Sequence, residues 1–388
     1  MIPRVRPTVF SLLGAGLLML ATGCASIESE LPQTDWSQAP VVDGIVQEQM
    51  LDGLRRPWGV AWLPEGGLLV TERGGRLLYF SQPESEALTV AGLPEVFTGG
   101  QGGLLDVSVH PRFSENRLVY LAYSTGSRQA NRTRVARFRF DGERLTERQV
   151  VFQVEELKSG RQHFGSRLLW LPDETLLISI GDGGNPPLRF EGKLQREQAQ
   201  NQETLFGAVV RINDDGSIPR DNPFVDSPEA RDEFYTVGNR NIQGIARDPQ
   251  TGRVWASEHG SRGGDELNEI LPGENYGWPL VSHSREYGRF IPVADHQSLE
   301  GYEDPAMVWM ETVAPSGLAV REGRLYAGGL VSQAVHEITL DQQGAFVSQR
   351  VIPIGARVRD VRVGQDGALY VLTDEEENGR LLRLLLPD

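Results

Sequence analysis

Five segments of the sequence combine glycine with polar side chains that a plain turn does not need. They are residues 98–103, 161–167, 237–244, 257–268 together with 275–279, and 357–360. Glycine lets another group approach the backbone closely. We therefore take these segments as candidate walls of one ligand site.

The side chains in these segments suit a flat, polyanionic ligand held together with a hard cation. Arg240, Arg357 and Arg359 are forked donors for carboxylates and ring carbonyls. Alternation along a strand would place Arg357 and Arg359 on one face. Carboxylate and carbonyl oxygens of residues 265–276 suit calcium, which takes about six to eight oxygen ligands. His163 is a candidate general base, because an imidazole titrates near neutrality.

Two further residues of these segments have simpler interpretations. A histidine in a loop is more often structural than catalytic, and we expect His259 to support its own loop. Asp182 lies in a Gly-Asp-Gly-Gly run. It is either a turn residue or a support for the site from behind, and the sequence does not decide between the two.

The elements that would position these residues repeat six times along the chain. Each repeat has alternating apolar residues, a turn and a second apolar strand, and the repeats open at Pro57, Gly103, Gly165, Gln243, Ser316 and Arg359. One hairpin is marginal in water, whereas repeats arranged radially bury one another's faces. We predict an all-β, six-bladed β-propeller over residues 47–388. A pair of β-sandwiches is the rival, but six like units favour a closed ring.

The first 23 residues have the composition of a lipoprotein signal peptide. Arg4 and Arg6 precede an apolar run over residues 9–21, and small residues then lead to Cys24, the only cysteine. The run is shorter than the roughly 20 residues of a membrane span. We predict lipid attachment at Cys24, a tether over residues 24–46 and a periplasmic location. Ala25 in place of aspartate favours the outer membrane, and an ordinary cleaved leader is the alternative.

The charge balance narrows the possible partners. The chain has 53 acidic and 38 basic residues, a formal net charge of −15. Such a surface repels phosphate backbones and anionic lipid head groups. We expect no nucleic acid partner, and contact with a membrane only through the lipid.

The order of seven motifs resembles the soluble PQQ-dependent aldose sugar dehydrogenases of the glucose/sorbosone dehydrogenase family. The matching runs cover residues 100–103, 163–168, 181–184, 238–244, 258–266, 275–279 and 357–360. The resemblance extends from about residue 50 to the end of the chain. It implies an enzyme that uses PQQ and calcium to oxidise aldose sugars to lactones, passing electrons to an acceptor that the sequence does not identify.

The resemblance also implies catalytic and cofactor-binding roles. His163 would take the proton of the anomeric hydroxyl while hydride passes to PQQ, and Arg240 would polarise the PQQ carbonyl where negative charge develops. The positions that match PQQ contacts are Gln101, Arg240, Asn241, Tyr287, Arg357 and Arg359.

Two calcium positions are implied in the same way. One calcium would lie on PQQ as a Lewis acid, bound by backbone oxygens of Gly260 and Ser261. A second, structural calcium would be bound by Glu266 and the carbonyl of Tyr276.

The sequence departs from the family pattern in three places. Ile242 and Ser261 stand where relatives commonly have proline, which should change loop stiffness more than chemistry. Val331 stands where the family has a lysine that contacts PQQ, and Arg262 is a cation that could substitute. The departure at Val331 motivates an alternative function, a non-catalytic propeller that binds glycans or a protein. A calcium-dependent lactone hydrolase is a weaker option. Its site would require several carboxylates that converge on the channel, and the arginine-rich set here suits that poorly.

Overall fold

The computed structural model describes residues 31–82 and 85–387. Most of its strands form six sheets, one for each blade, that follow one another along the chain, and within each blade the four strands are antiparallel. Blade 1 consists of Pro57–Trp62, Leu68–Glu72, Arg76–Phe80 and Leu88–Thr89; blade 2 of Leu104–Val109, Leu118–Gly126, Asn131–Phe140 and Leu145–Gln153; blade 3 of Leu168–Trp170, Leu176–Ile180, Ala208–Ile212 and Phe234–Val237.

The other three blades complete the ring. Blade 4 consists of Ile242–Arg247, Val254–Glu258, Asp265–Glu269 and Met307–Trp309; blade 5 of Pro315–Arg321, Arg324–Gly329, Ala334–Leu340 and Phe346–Pro353; blade 6 of Val358–Val363, Leu369–Thr373, Gly379–Leu385 and Val46–Leu54. The predicted six-bladed β-propeller is confirmed, and each predicted repeat provides the first two strands of one blade.

The apolar core is divided among the contacts between blades. Each adjacent pair of blades encloses its own buried cluster, and the sixth cluster joins blade 6 to blade 1 through Tyr370, Leu372, Val60 and Val70. The alternating apolar residues of the repeats therefore bury both faces of every sheet. This continuous ring of clusters fixes where the loops between strands can lie.

The N-terminal part of the described chain belongs to the propeller surface. Val46–Leu54 pairs with Gly379–Leu385 and forms the outer strand of blade 6. Before it, Gln33–Thr34 pairs in parallel with Met307–Trp309 of blade 4, and a 3₁₀ turn follows at Trp36–Gln38. Part of the predicted tether thus packs on the blades.

The signal peptide over residues 1–23 and the lipid site at Cys24 lie outside the described residues, and they stay predictions. Mass spectrometry of the mature N-terminus would test them: an unmodified or uncleaved Cys24 would contradict the lipoprotein interpretation. Within residues 31–82 and 85–387, no helix is both long and apolar enough to cross a membrane.

The ends of the first strands meet in a buried charge network on the propeller axis. The guanidinium of Arg167 lies 3.1 Å from carboxylate oxygens of both Asp106 and Asp360. Arg362 contacts the same two carboxylates at 2.9 Å. Two cations and two anions pair here, so this network joins blades 2, 3 and 6.

Two insertions carry much of the candidate site. Residues 181–207 follow the second strand of blade 3 and contain the hairpin Arg189–Phe190 with Lys193–Leu194 and the 3₁₀ helix Gln195–Gln200. Residues 270–306 join the last two strands of blade 4. The one α-helix of the described residues is the short Phe113–Asn116 in blade 2.

Candidate active site

His163 lies in the connection between blades 2 and 3 and is almost fully buried. Its φ of +49° is in the left-handed region, which side chains other than glycine seldom adopt. The backbone N–H of His163 donates to Oε1 of Gln101 at 2.7 Å. Gln101, in the loop that leads into blade 2, therefore holds His163 in place. The resemblance implies a PQQ contact at this same glutamine.

Asp182 orients the imidazole of His163. Its Oδ1 lies 2.6 Å from Nδ1 of His163, and its Oδ2 accepts a hydrogen bond from Nε1 of Trp278 at 2.8 Å. Burial lowers the pKa of His163, and the Asp182 carboxylate opposes that shift without reversing it. A neutral imidazole that donates Nδ1–H to Asp182 keeps its Nε2 lone pair for a proton. Asp182 thus supports the site from behind.

Arg240 is linked to His163 through Asn185. The Arg240 Nη2 donates to Oδ1 of Asn185 at 2.8 Å, and Nδ2 of Asn185 lies 3.4 Å from Nε2 of His163. The other terminal nitrogen of Arg240 donates to the carbonyl of His259 at 3.0 Å. Asn241 is also buried, and its Oδ1 accepts the backbone N–H of Gly165 at 3.1 Å.

These residues form one wall of a cavity of about 570 Å³ at the mouth of the propeller channel. The cavity brings together Gln101, His163, Asn185, Arg240, Asn241, His259 and Tyr287. Tyr287 lines the same cavity and is 56% exposed, so it stands at the entrance. A cavity of this size accommodates a small organic ligand.

A second cavity of about 350 Å³ adjoins the first and also contacts Gln101 and His259. Arg357 and Arg359 lie in it, both bonded to Oδ2 of Asp374, at 3.4 and 2.9 Å. Burial raises the pKa of Asp374, but the neighbouring arginines outweigh this effect and lower it to about 2. Arg56 and Arg73 line the same cavity.

Several buried donors at these cavities have no hydrogen-bond partner among the described residues. They are Nε of Arg240, Nε of Arg359 and Nε2 of His259. Buried polar atoms in native proteins are nearly always paired. Together with the excess of guanidinium groups around Asp374, they fit a flat ligand that carries carboxylates and carbonyl oxygens.

Two glutamates of blade 4 lie side by side in the interior of the protein. Glu258 and Glu266 are directly opposite on paired strands, and Nδ2 of Asn268 lies 3.3 Å from one oxygen of each. Burial raises the pKa of both carboxyl groups, and for Glu266 the charge of Glu258 adds to it. The buried Oδ1 of Asn268 also has no hydrogen-bond partner within residues 31–82 and 85–387. Such a cluster of oxygens fits a divalent cation.

The other residues predicted to bind calcium do not all lie at one place. Gly260 and Tyr276 line a small cavity of about 10 Å³ together with the two glutamates. This is room for a single ion or water. Ser261 lies beside that cavity and not in its wall. Asp265 is fully engaged by the backbone N–H groups of Gly260, Val313 and Ala314.

No group of three or more His, Cys, Asp or Glu side chains in the described ranges is arranged to hold a metal. Carbonyl and amide oxygens would therefore have to complete any calcium site here.

Some residues at the site were not predicted from the sequence, and one predicted candidate lies elsewhere. Asn185, Arg73 and Lys158 face the site or support it, and no repeat or motif in the sequence points to them. His259, expected to be structural, faces both cavities. Arg262 was a candidate to replace the family lysine, but its guanidinium lies 3.9 Å from the Phe290 ring and it lines neither cavity. Val331 is 53% exposed beside Leu330.

The comparison with known proteins identifies the class to which this fold and site belong. The model of the family described as glucose/sorbosone dehydrogenase matches residues 54–383. The chain therefore belongs to the glucose/sorbosone dehydrogenase family, whose members are oxidoreductases that act on sugar CH–OH groups. The membership predicted from the seven motifs is confirmed.

Individual relatives cover nearly the whole propeller. An uncharacterised protein of Synechocystis is 53% identical over 86% of this chain and 85% of its own length. The aldose sugar dehydrogenase YliI of Escherichia coli is 36% identical over 87% of this chain and 92% of its own length. The PQQ-bound aldose sugar dehydrogenase of Streptomyces coelicolor aligns with a TM-score of 0.73 at 29% identity, covering 89% of this chain and 99% of that one.

Proposed function

We propose that this chain oxidises aldose sugars to lactones with PQQ as cofactor and calcium as metal. The observation that carries the proposal is the hydrogen-bonded series His163–Asn185–Arg240 along one cavity wall, with Asp182 bonded to His163 from behind. This series supports the proposal, because it joins the imidazole of His163 to the guanidinium of Arg240 through one side chain. The PQQ-bound Streptomyces coelicolor relative supports the choice of cofactor.

In the proposed reaction His163 removes a proton from the substrate. Its Nε2 takes the proton of the anomeric hydroxyl as the C1–H bond breaks and the carbon–oxygen double bond of the lactone forms. Asp182 keeps the reactive lone pair on Nε2 and stabilises the imidazolium that results. Asn185 yields its weak 3.4 Å contact with Nε2 to the sugar hydroxyl.

PQQ, when bound, supplies the acceptor of the hydride that leaves C1. Arg240 and Asn241 would present donors to the oxygen where negative charge develops. Arg357 and Arg359 would hold carboxylates with their forked guanidinium groups. Gln101 and Tyr287 would contact the ring system from blade 2 and from the entrance.

Calcium would serve two purposes in this proposal. Glu258 and Glu266, with the carbonyl of Tyr276, would hold a structural ion that neutralises their shared charge. Backbone oxygens of Gly260 and Ser261 would hold a second ion against the cofactor. Both assignments rest on the oxygen donors gathered in blade 4 and on the family resemblance.

Steady-state turnover tests the proposal. The purified chain with PQQ and calcium should reduce a redox dye when aldoses are added, and His163→Ala should lower kcat by about 100-fold or more while PQQ still binds. His296→Ala is the control, because His296 is exposed. The proposal fails if no aldose supports turnover, or if His163→Ala is as active as the control.

One residue, Val331, favours a second candidate function. Val331 offers no charge where the family has a lysine, so this propeller could instead bind glycans or a protein without catalysis. That function requires that PQQ produce neither an absorbance change nor a rise in Tm on titration. Either response would exclude it.

A further inference from the structure

Lys158 is a buried lysine that the proposed mechanism does not use. It lies five residues before His163 and is 2% exposed. Its backbone N–H and carbonyl both pair with Asn131, each at 2.9 Å. Of 38 basic residues in the chain, only Lys158 and Lys193 are lysines. A chain that otherwise uses arginine has thus placed one of its two lysines inside the protein, beside the candidate base.

The ammonium group of Lys158 holds the peptide bond that precedes His163. Its Nζ donates to the carbonyl of Gln162 at 2.9 Å, and it lies 3.9 Å from the centre of the Phe164 ring. The N–H of the same peptide bond is the group that donates to Gln101. Both polar groups of this peptide bond are therefore held by side chains, one on each side.

This arrangement matters because His163 has a left-handed backbone conformation. Such a conformation persists where the surroundings hold it in place. We propose that Lys158 is a positioning residue for His163, acting through the carbonyl of Gln162 and through its positive charge. The inference rests on the proposed role of His163 as general base.

After burial and the charge of Arg240, the charge of Lys158 also lowers the pKa of the His163 imidazole. No carboxylate forms an ion pair with Lys158 among the described residues. The charged or titratable groups around Lys158 and His163 include Asp182, Arg240 and His259, and Arg128 and Arg161 line the same cavity. Burial lowers the pKa of Lys158 to about 7, which Asp182 partly opposes. Below that pH the ammonium disfavours a protonated imidazole. Lys158 therefore helps to keep His163 a neutral base at mildly acidic pH.

Direct titration of His163 tests this inference without any cofactor. The chain has six histidines, so the ring C–H signals can be resolved by NMR and the His163 signal identified with His163→Asn. In Lys158→Met, which keeps length but loses donor and charge, the pKa of His163 should rise. It should stay low in Lys158→Arg and in Lys193→Met, the exposed-lysine control.

Turnover provides the second readout. Lys158→Met should lower kcat by about 10- to 100-fold, as expected for a misplaced catalytic group, and should move the acidic limb of the kcat/KM profile to higher pH. Lys158→Arg should recover part of both effects, and thermal melts show that each variant is folded.

Two results would overturn the inference. One is an unchanged His163 titration together with wild-type kcat in Lys158→Met. The other is an equal loss of activity in the Met and Arg variants with no shift in either profile, which would mean that Lys158 only packs. If His163→Ala retained full activity, the base assignment would fail, but the titration would still decide whether Lys158 acts on His163.

Discussion

The side chains around His163 determine which proton the imidazole can move. Burial disfavours the charged ring, while Asp182 accepts from Nδ1 and favours it. Burial also raises the pKa of Asp182, but the contacts with His163 outweigh it, and the carboxyl group remains ionised. The ring is thus neutral in the resting protein and can be stabilised once it gains a proton. A base of this kind works near neutral pH.

Replacing Asp182 with asparagine tests whether this carboxylate keeps the Nε2 lone pair of His163 free. An amide at this position can donate to Nδ1, which would place the ring proton on Nε2 and remove the lone pair that faces the cavity. We expect Asp182→Asn to lower kcat by about 100-fold or more, with a smaller change in KM. Steady-state kinetics with a saturating aldose and PQQ measure both.

The matched control for Asp182→Asn is Asp341→Asn. Asp341 is also a turn aspartate that accepts backbone N–H groups, at 2.9 Å from Gln343 and Ala345, but it lies in an exposed turn of blade 5. Equal kcat in the two variants would contradict the role of Asp182 in orienting His163.

The sequence predicts the residues of this site better than it predicts their supports. His163, Arg240, Asn241 and Gln101 stand in motifs and meet at one cavity. Asn185, by contrast, lies in an insertion with no repeat or motif, and its contacts depend on how that insertion folds back. Lys158 looks in sequence like any surface lysine, because only the packed structure shows that Phe164 and Gln162 cover it.

At the scale of elements, two strands of blade 4 place like charges opposite each other. Val254–Glu258 pairs with Asp265–Glu269 so that Glu258 and Glu266 are direct neighbours. Like charges at such a position destabilise a sheet. The pKa of each carboxyl group is raised by burial, so without a cation the folded chain favours protonated glutamates.

This pair makes stability depend on pH and calcium together. Because the folded pKa lies above the unfolded value, the glutamates stabilise the fold at acidic pH, and this contribution is lost as pH rises through the folded pKa. Calcium requires the ionised form. We expect added calcium to raise Tm more at about pH 8 than at about pH 5, through a stabilisation of about 2.7 kcal/mol at 100 times Kd.

Glu266→Gln is the variant that checks this expectation by thermal melting in calcium and in chelator. It removes one charge of the pair while keeping the shape, so the calcium-dependent rise in Tm should shrink. Glu300→Gln, at an exposed position of the neighbouring insertion, should leave the rise unchanged. A rise of equal size at both pH values in the unaltered chain would contradict the assignment.

Some strands of the propeller can be predicted from the sequence, and others cannot. The first two strands of all six blades carry alternating apolar residues and are predicted closely. The outer strand Val46–Leu54 has the sequence of a polar edge, with Gln47, Glu48 and Gln49 in a row. Its pairing with the far end of the chain depends on ring closure, which no local pattern encodes.

At the scale of the whole molecule, the two ends of the chain close the propeller. The outer strand of blade 6 comes from the N-terminal side and the other three strands from the C-terminal side. Leu51 and Leu54 of that strand are buried against Leu372 and Leu381, and Glu48 pairs with Arg383 at 3.1 Å. The site depends on this closure, because Arg357 lies just before the first strand of blade 6 and Arg359 lies within that strand.

Truncation provides the test at this scale, since a chain beginning at residue 55 lacks the closing strand and one beginning at residue 45 retains it. Burial of Leu51 and Leu54 stabilises the fold by roughly 3–6 kcal/mol, a large part of the about 5–15 kcal/mol of a typical domain. We expect the chain from residue 55 to aggregate or to melt without cooperativity, and the chain from residue 45 to melt cooperatively with a modest loss in Tm. Calorimetry and size-exclusion chromatography distinguish these outcomes. Equal Tm values for the two chains would mean that the contacts between blades 6 and 1 hold the ring without its outer strand.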